Sequence, residues 1–407
     1  MEQGPPPPPP AEPAIGHRTS RSARATRARR ALPATGAAAA LLLLGSLTAS
    51  CSDGDGGGNT ARERRVCLTG KLTYTHRDAE AGPELPKATS VARNANWELW
   101  GRPQGERRVR ELNAGLTDAG NGGFRACAKQ PDQVTDVYVK FRSSSTDLWR
   151  VINPKSRAQY TFDTRHTARA DSTVALGTVR VPADRASAWK IVDSLNELYW
   201  KASEANTSGS ACWTRRQKNG HCDELTVTWG PKATDGGYFD QGGTNHIVLT
   251  AEDADSRHTV LHEAGHWLQW QLYGRSLPDS PHCEEHTFEL ASSPGCAWTE
   301  AFADAAAAYA LGDRRYVYGN GESVELRADS ATDWDQGDDV QGRVGGALLD
   351  LWAADGPDGG DWNRTIDLMS REVSEDFYDY FTEDRPRAGL DTTGPALDIV
   401  HDHTIDY

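Results

Sequence analysis

Leu261-His262-Glu263-Ala264-Gly265-His266-Trp267-Leu268 decides how this 407-residue chain is to be read. His262 and His266 stand four residues apart, so on a helix they project from one face, one turn apart. Two imidazoles so placed can reach one metal ion, and Glu263 beside them can handle a proton. With 12 His in the chain, a chance match to H-E-x-x-H is expected roughly 0.02 times. A third ligand is therefore needed before the pattern carries weight. It comes from Ala297-Trp298-Thr299-Glu300-Ala301-Phe302-Ala303-Asp304, where Glu300 and Asp304 are again four apart and share a helix face. A catalytic zinc takes three protein ligands and keeps a fourth position for water. Glu300 completes the three, and Asp304 is spaced to accept the free ring N–H of a ligating histidine.

His262, Glu263 and His266, followed by Glu300 and Asp304, resemble the HExxH…ExxxD pattern of the gluzincins, the thermolysin-like zinc metallopeptidases. The resemblance covers roughly residues 244–312. It implies a zincin-like, mainly α (α+β) catalytic domain, one catalytic Zn2+ ligated by His262, His266 and Glu300, and Glu263 as general base. A metzincin would carry Gly at 269 and His at 272; this chain has Gln269 and Leu272.

The expected catalytic helix starts near Asp255 or Ser256 and stops at Gly274, with Leu261, Ala264, Leu268 and Leu272 as its core stripe. Ala264 and Gly265 keep it slim. The helix bearing Glu300 ends at Gly312, and Ala303 and Ala305–Ala308 let it lie close to the first. A later helix is expected from Asp338 or Asp339, with Val340, Val344, Leu348 and Leu351 inward and Gly342, Gly345 and Gly346 packed closely against the metal-bearing pair. Thr244–Thr250 reads as a strand just before the catalytic helix; in the resemblance it borders the cleft and pairs with substrate backbone. His282 and His286, between the ligand helices, have the chemistry of metal ligands, but the reading favoured for them is a solvated polar loop. Tyr316, Tyr318, His282, His286 and His401 are the candidates for a donor to the oxyanion.

From about Ala61 to Val181 the pattern changes to period two. Val66, Leu68, Leu72 and Tyr74, then Trp97 and Leu99, then Val137, Val139 and Phe141 alternate with polar residues. Short strands with Gly-rich turns such as 117–123 suggest an antiparallel β-sandwich. The motifs Asn96-Trp97-Glu98-Leu99-Trp100 and Thr-Asp-x-Gly-x-Gly-x-Phe resemble transthyretin-like accessory domains. After Pro182 and Asp184 the period returns to helical, with Ala186, Trp189, Val192, Leu195 and Tyr199 on one face. The fold expected is thus multidomain: a sandwich over 61–181 and a zincin-like domain over 182–407.

The N-terminus is read as a targeting segment. Six Arg precede an apolar run, Ala37–Leu44, too short to span a bilayer. Cys51 after Thr48-Ala49-Ser50 resembles a bacterial lipobox, which implies a signal peptide over 1–50, lipidation at Cys51 and a flexible tether to residue 60. Export also suits the cysteines. Setting Cys51 aside leaves six of seven, and their order suggests Cys67–Cys127, Cys212–Cys222 and Cys283–Cys296 among 15 connectivities. Without its first 50 residues, which hold six Arg and two Glu, the chain goes from −14 to −18. Such acidity argues against a nucleic-acid partner. The Asp355–Asp361 loop reads as acidic turns rather than a calcium site.

The reading is an extracytoplasmic, lipid-anchored zinc peptidase acting on peptide or protein substrates. Its alternatives are a cell-surface adhesion lipoprotein with a non-proteolytic zincin scaffold, or a zinc hydrolase of a non-peptide bond.

Overall fold

The computed structural model describes residues 65–129, 133–170, 172–206, 211–214, 221–243, 246–284, 286–327 and 333–407. Cys51, the signal segment and the tether lie outside the described residues. Strands come first: β1 (Arg65–Arg77), β2 (Lys87–Val91), β3 (Asn96–Pro103), β4 (Arg110–Leu116), β5 (Gly123–Lys129), β6 (Val134–Arg142), β7 (Ser144–Ser145), β8 (Trp149–Ile152), β9 (Thr161–Asp163), β10 (Thr167–Ala170) and β11 (Thr173–Arg180). The alternating apolar residues that announce them are buried, from Val66 and Leu68 through Leu99 to Phe141.

β1 is the spine of the first sheet. One edge pairs with β5 and then β2, both antiparallel; the other pairs with β11, which runs parallel. The expected all-antiparallel pairing is therefore corrected, since β11 returns only after the whole second sheet and that long crossover permits a parallel partner. The second sheet runs β10-β6-β3-β4, with β9 also on β6. Aromatic rings link the layers. Phe124 of β5 meets Phe141 of β6 at 5.2 Å between centroids, Phe141 meets Phe162 at 5.3 Å, and Phe162 meets Trp189 at 5.3 Å.

Trp189 belongs to α1 (Ala186–Ala205), which opens the helical region. There follow β12 (Leu225–Trp229), β13 (Tyr238–Phe239), β14 (Ile247–Leu249), α2 (Arg257–Leu272), α3 (Pro294–Leu311), β15 (Arg315–Val317), β16 (Ser323–Glu325), α4 (Gln341–Leu351) and α5 (Asn363–Met369). A final helix spans Pro395–Asp402. The third sheet, β13-β14-β12-β8-β7, joins the two regions, because β12 lies parallel to both β14 and β8. Hydrogen bonding thus crosses position 181, and Ala61–Tyr407 form one compact unit.

Local chemistry sets the helix ends. Ser256 Oγ accepts from Thr259 N at 3.1 Å to start α2, and Gly274 beyond its end takes φ +67°. Ser293 Oγ accepts from Cys296 N at 3.3 Å to start α3, and Gly312 ends it at φ +64°. α4 departs from expectation. Neither Asp338 nor Asp339 caps it: Val340 holds the cap position, bridged to Ala291, and the Asp338 carboxylate accepts instead from the Tyr407 hydroxyl. Its glycines also divide their roles. Gly345 faces Ala301 of α3, whereas Gly342 makes room for Trp334 and Gly346 for the His403 ring.

A carboxylate from the β region caps α2. Glu80 Oε1 accepts from the backbone N–H groups of Arg257 and His258, where the helix dipole favours negative charge. Nearby, Lys190 Nζ donates to Arg77 O at 3.0 Å, and Tyr74 Oη donates to Asp193 Oδ2 at 2.9 Å. Burial pushes the Glu80 carboxyl up, but the His258 ring, the Lys190 ammonium and the Arg257 N–H outweigh it and hold it at about 2. The folded value lies below the ordinary 4.5, so its stabilisation is complete above that pH and drains as pH falls toward about 2. Urea unfolding across that window should show stability falling steeply in the parent chain and less steeply in Glu80→Gln; equal slopes would remove Glu80 as the cause.

Candidate metal centre

α2 and α3 approach closely because Gly265 carries no side chain. A Cβ there would lie 2.7 Å from Ala303 Cα. The approach brings three donors together. His262 Nε2 and His266 Nε2 are 3.1 Å apart, and Glu300 Oε2 lies 3.2 Å from the first and 3.3 Å from the second. All three residues are buried.

These spacings can be tested against a metal. Tetrahedral zinc with bonds of about 2.0–2.1 Å separates its ligands by about 3.3 Å, which the triangle matches. Glu300 Oε2 is itself buried and, among the described residues, without a hydrogen-bond donor. An ionised oxygen left so would cost several kcal/mol, on the order of a buried unpaired charge. Two imidazoles and one carboxylate are also the donor set that zinc favours. The residues fit.

Asp304 orients the first imidazole. His262 Nδ1 donates to Asp304 Oδ1 at 2.7 Å, which leaves Nε2 facing Glu300, where a metal would take the place of its proton. Gln341 of α4 in turn donates from Nε2 to Asp304 Oδ2 at 2.7 Å. Burial lowers the His262 pKa, but the Asp304 carboxylate overrides it and holds the ring well above 6.5. Burial raises Glu300, yet the His266 and His262 imidazoles keep it well below 4.5. Glu263 is pushed up by burial, and its Oε2 has no hydrogen-bond partner among the described residues.

Other expected positions sort by distance. Tyr316 is buried with its ring 5.6 Å from that of His262, and Tyr318 packs 5.1 Å from Tyr316, partly exposed. His282 and His401 are exposed. His286 departs from the polar-loop expectation: its Nε2 is 3.3 Å from Glu300 Oε2. Gln341 and His286 were not marked by any motif, since each reaches the site from a separate element. The expected substrate-pairing strand is also corrected. In β14, Ile247 and Val248 are flanked by β12 on one side and β13 on the other, so the outer edge belongs to β13.

The three suggested disulfides are formed: Cys67–Cys127, Cys212–Cys222 and Cys283–Cys296. The last excludes a separate metal site at Cys283, His286 and Cys296, because both sulfurs are spent on each other. In the Asp355–Asp361 loop, Asp358 is fully buried and held bidentately by Arg385 at 2.7 and 2.8 Å. No described helix is long and apolar enough to cross a membrane.

Residues 67–188 match the family model of the Mycolysin middle domain, and residues 205–404 match that of the Mycolysin C-terminal domain. No curated protein and no solved structure matches the chain. The two domain matches support a metallopeptidase of the thermolysin-like kind.

Replacing Asp304 by Asn removes the anionic partner of His262. Zinc affinity, measured by competition with a chromophoric chelator, should fall about 10–100-fold; an unchanged affinity would deny Asp304 its orienting role.

Proposed function

We propose that this chain, with its mycolysin middle and C-terminal domains, is an exported, membrane-anchored zinc peptidase of zincin fold. Its parts would be a signal peptide over 1–50, lipidation at Cys51 with a tether to residue 60, a transthyretin-like sandwich over 61–181 and a catalytic domain over 182–407. His262, His266 and Glu300 hold the metal. The observation that carries this reading is the buried Glu300 Oε2, which has no hydrogen-bond donor among the described residues and faces the Nε2 atoms of both α2 histidines.

Zinc, when bound, polarises a carbonyl and lowers the pKa of water toward about 7. The protein's own groups do the rest. Glu263 receives the proton of the attacking water and delivers it to the leaving amine. Burial suits it to this, because desolvation makes its carboxylate a stronger base than an exposed one. Asp304 keeps the proton of His262 on Nδ1, so that Nε2 stays a ligand. Gln341 holds Asp304 in place through its other oxygen. The substrates are peptides or proteins outside the cytoplasm, in keeping with three disulfides.

Glu263→Gln keeps size and loses the base. Cleavage of a diverse peptide mixture should fall by about 10²–10⁴-fold or more, with one zinc still bound by elemental analysis. Activity at the parent level would reject the mechanism.

A further inference from the structure

His262, His266, Gln269 and Tyr273 follow one another along α2 and its end in alternating steps of four and three, so they share one helix face. Three of them meet α3. His262 reaches Asp304 at 2.7 Å, His266 Nε2 lies 3.3 Å from Glu300 Oε2, and the Tyr273 hydroxyl accepts from Trp298 Nε1 at 3.3 Å. Gln269 stands between the last two. It is fully buried, and neither its Oε1 nor its Nε2 has a hydrogen-bond partner among the described residues. Buried polar side chains are nearly always paired, and an unpaired one is destabilising. An amide unpaired at both ends therefore marks a bond made in another state of the protein, here the metal-loaded one.

His266 has the matching need. Its Nε2 faces Glu300 and the His262 ring, and its Nδ1 is buried with no partner among the described residues. When Nε2 ligates a metal, Nδ1 carries the hydrogen and needs an acceptor. His262 meets that need with Asp304. On α2, two side-chain oxygens are buried without a donor among the described residues, Glu263 Oε2 and Gln269 Oε1. Helical side chains lean toward the N-terminal turn, so that of Glu263 leans away from His266 and that of Gln269 leans back over it. Residues three apart have Cβ atoms about 5–6 Å apart, a gap that rotation of the long Gln side chain closes.

We propose that Gln269 is the positioning residue of His266: its amide oxygen takes the Nδ1–H and aims Nε2 at the ion shared with His262 and Glu300. This deepens the metal-centre reading and rests on it. The two imidazoles are then supported unequally, His262 by an anion and His266 by a neutral amide. A further carboxylate would add charge to a buried site that already holds Glu263, Glu300 and Asp304, at a heavy desolvation cost. An amide accepts the same hydrogen without charge. The stability lost to an unpaired amide in the metal-free protein is regained when the ion binds.

The test uses the whole chain with nitrogen-15-labelled histidine, metal-free and zinc-loaded. Gln269→Met keeps the side-chain length and removes the amide. It is expected to raise the urea midpoint of the metal-free protein, as removal of an unpaired buried amide does. Zinc binding, by chelator competition, should nevertheless weaken by about 10-fold or more. In the zinc-loaded parent, each ligating histidine should give a ring N–H proton resonance. Asp304→Asn identifies that of His262 by moving it, and Gln269→Met should move the one from His266. Parental zinc affinity in Gln269→Met overturns the proposal. So does weaker binding with the His266 resonance unmoved, which would make Gln269 a partner of Glu300. A lowered midpoint in the metal-free protein also overturns it, because the amide would then be a paired core group. His262→Ala separates this role from the reading beneath it. If that variant loses zinc while Gln269→Met binds as tightly as the parent, the centre stands and the positioning role falls; if the parent chain binds no zinc, both fall.

Discussion

The distance between two helix axes governs the candidate metal centre. α2 and α3 come near enough for an imidazole on one and a carboxylate on the other to share a cation only because Gly265 faces Ala303 with nothing between their backbones. Close packing of small residues is here a functional requirement, since each additional methylene would separate the donors that must converge. The alanines of α3, buried along most of its length, serve the same end. They give up side-chain burial area, the usual source of stability, in exchange for proximity.

Proximity creates an electrostatic problem that the surroundings answer in layers. Three imidazole nitrogens converge on one buried carboxylate oxygen, with Glu263 and Asp304 buried as well. So many ionisable groups out of water are costly unless a cation and fixed hydrogen bonds compensate. Asp304 and Gln341 supply the fixed bonds from α3 and α4. A metal at this triangle would supply the cation, and its binding and the stability of this region would then be one equilibrium. Glu80 extends the same logic outward, fastening the N-terminal end of the histidine helix to the β region.

What the sequence alone revealed follows from how local each signal is. The spacing of His262 and His266, the matching spacing of Glu300 and Asp304, and the glycines closing both helices are all written within one helical turn, and each is found in its expected place. The neighbouring cysteines were legible for the same reason. Contacts assembled from distant segments were not. Gln341 reaches Asp304 across 37 residues, and Glu80 reaches α2 across 177, with no periodicity to announce either. His286 stood in a polar loop whose composition resembles any solvated loop; only its ring geometry distinguishes it. Asp338 and Asp339 had the chemistry of caps, but a bridge between Val340 and Ala291 fixed where α4 begins.

The third sheet bears on how the molecule is made. Its middle strand, β12, is flanked by β8 from the N-terminal region and β14 from the helical one, so neither half owns a finished sheet. A nascent chain that has emerged only as far as α1 holds β8 with one side bare, a template for wrong partners. Export of the polypeptide before it folds would spare the cytoplasm that exposed intermediate, and would join the making of the catalytic half to the completion of the whole chain.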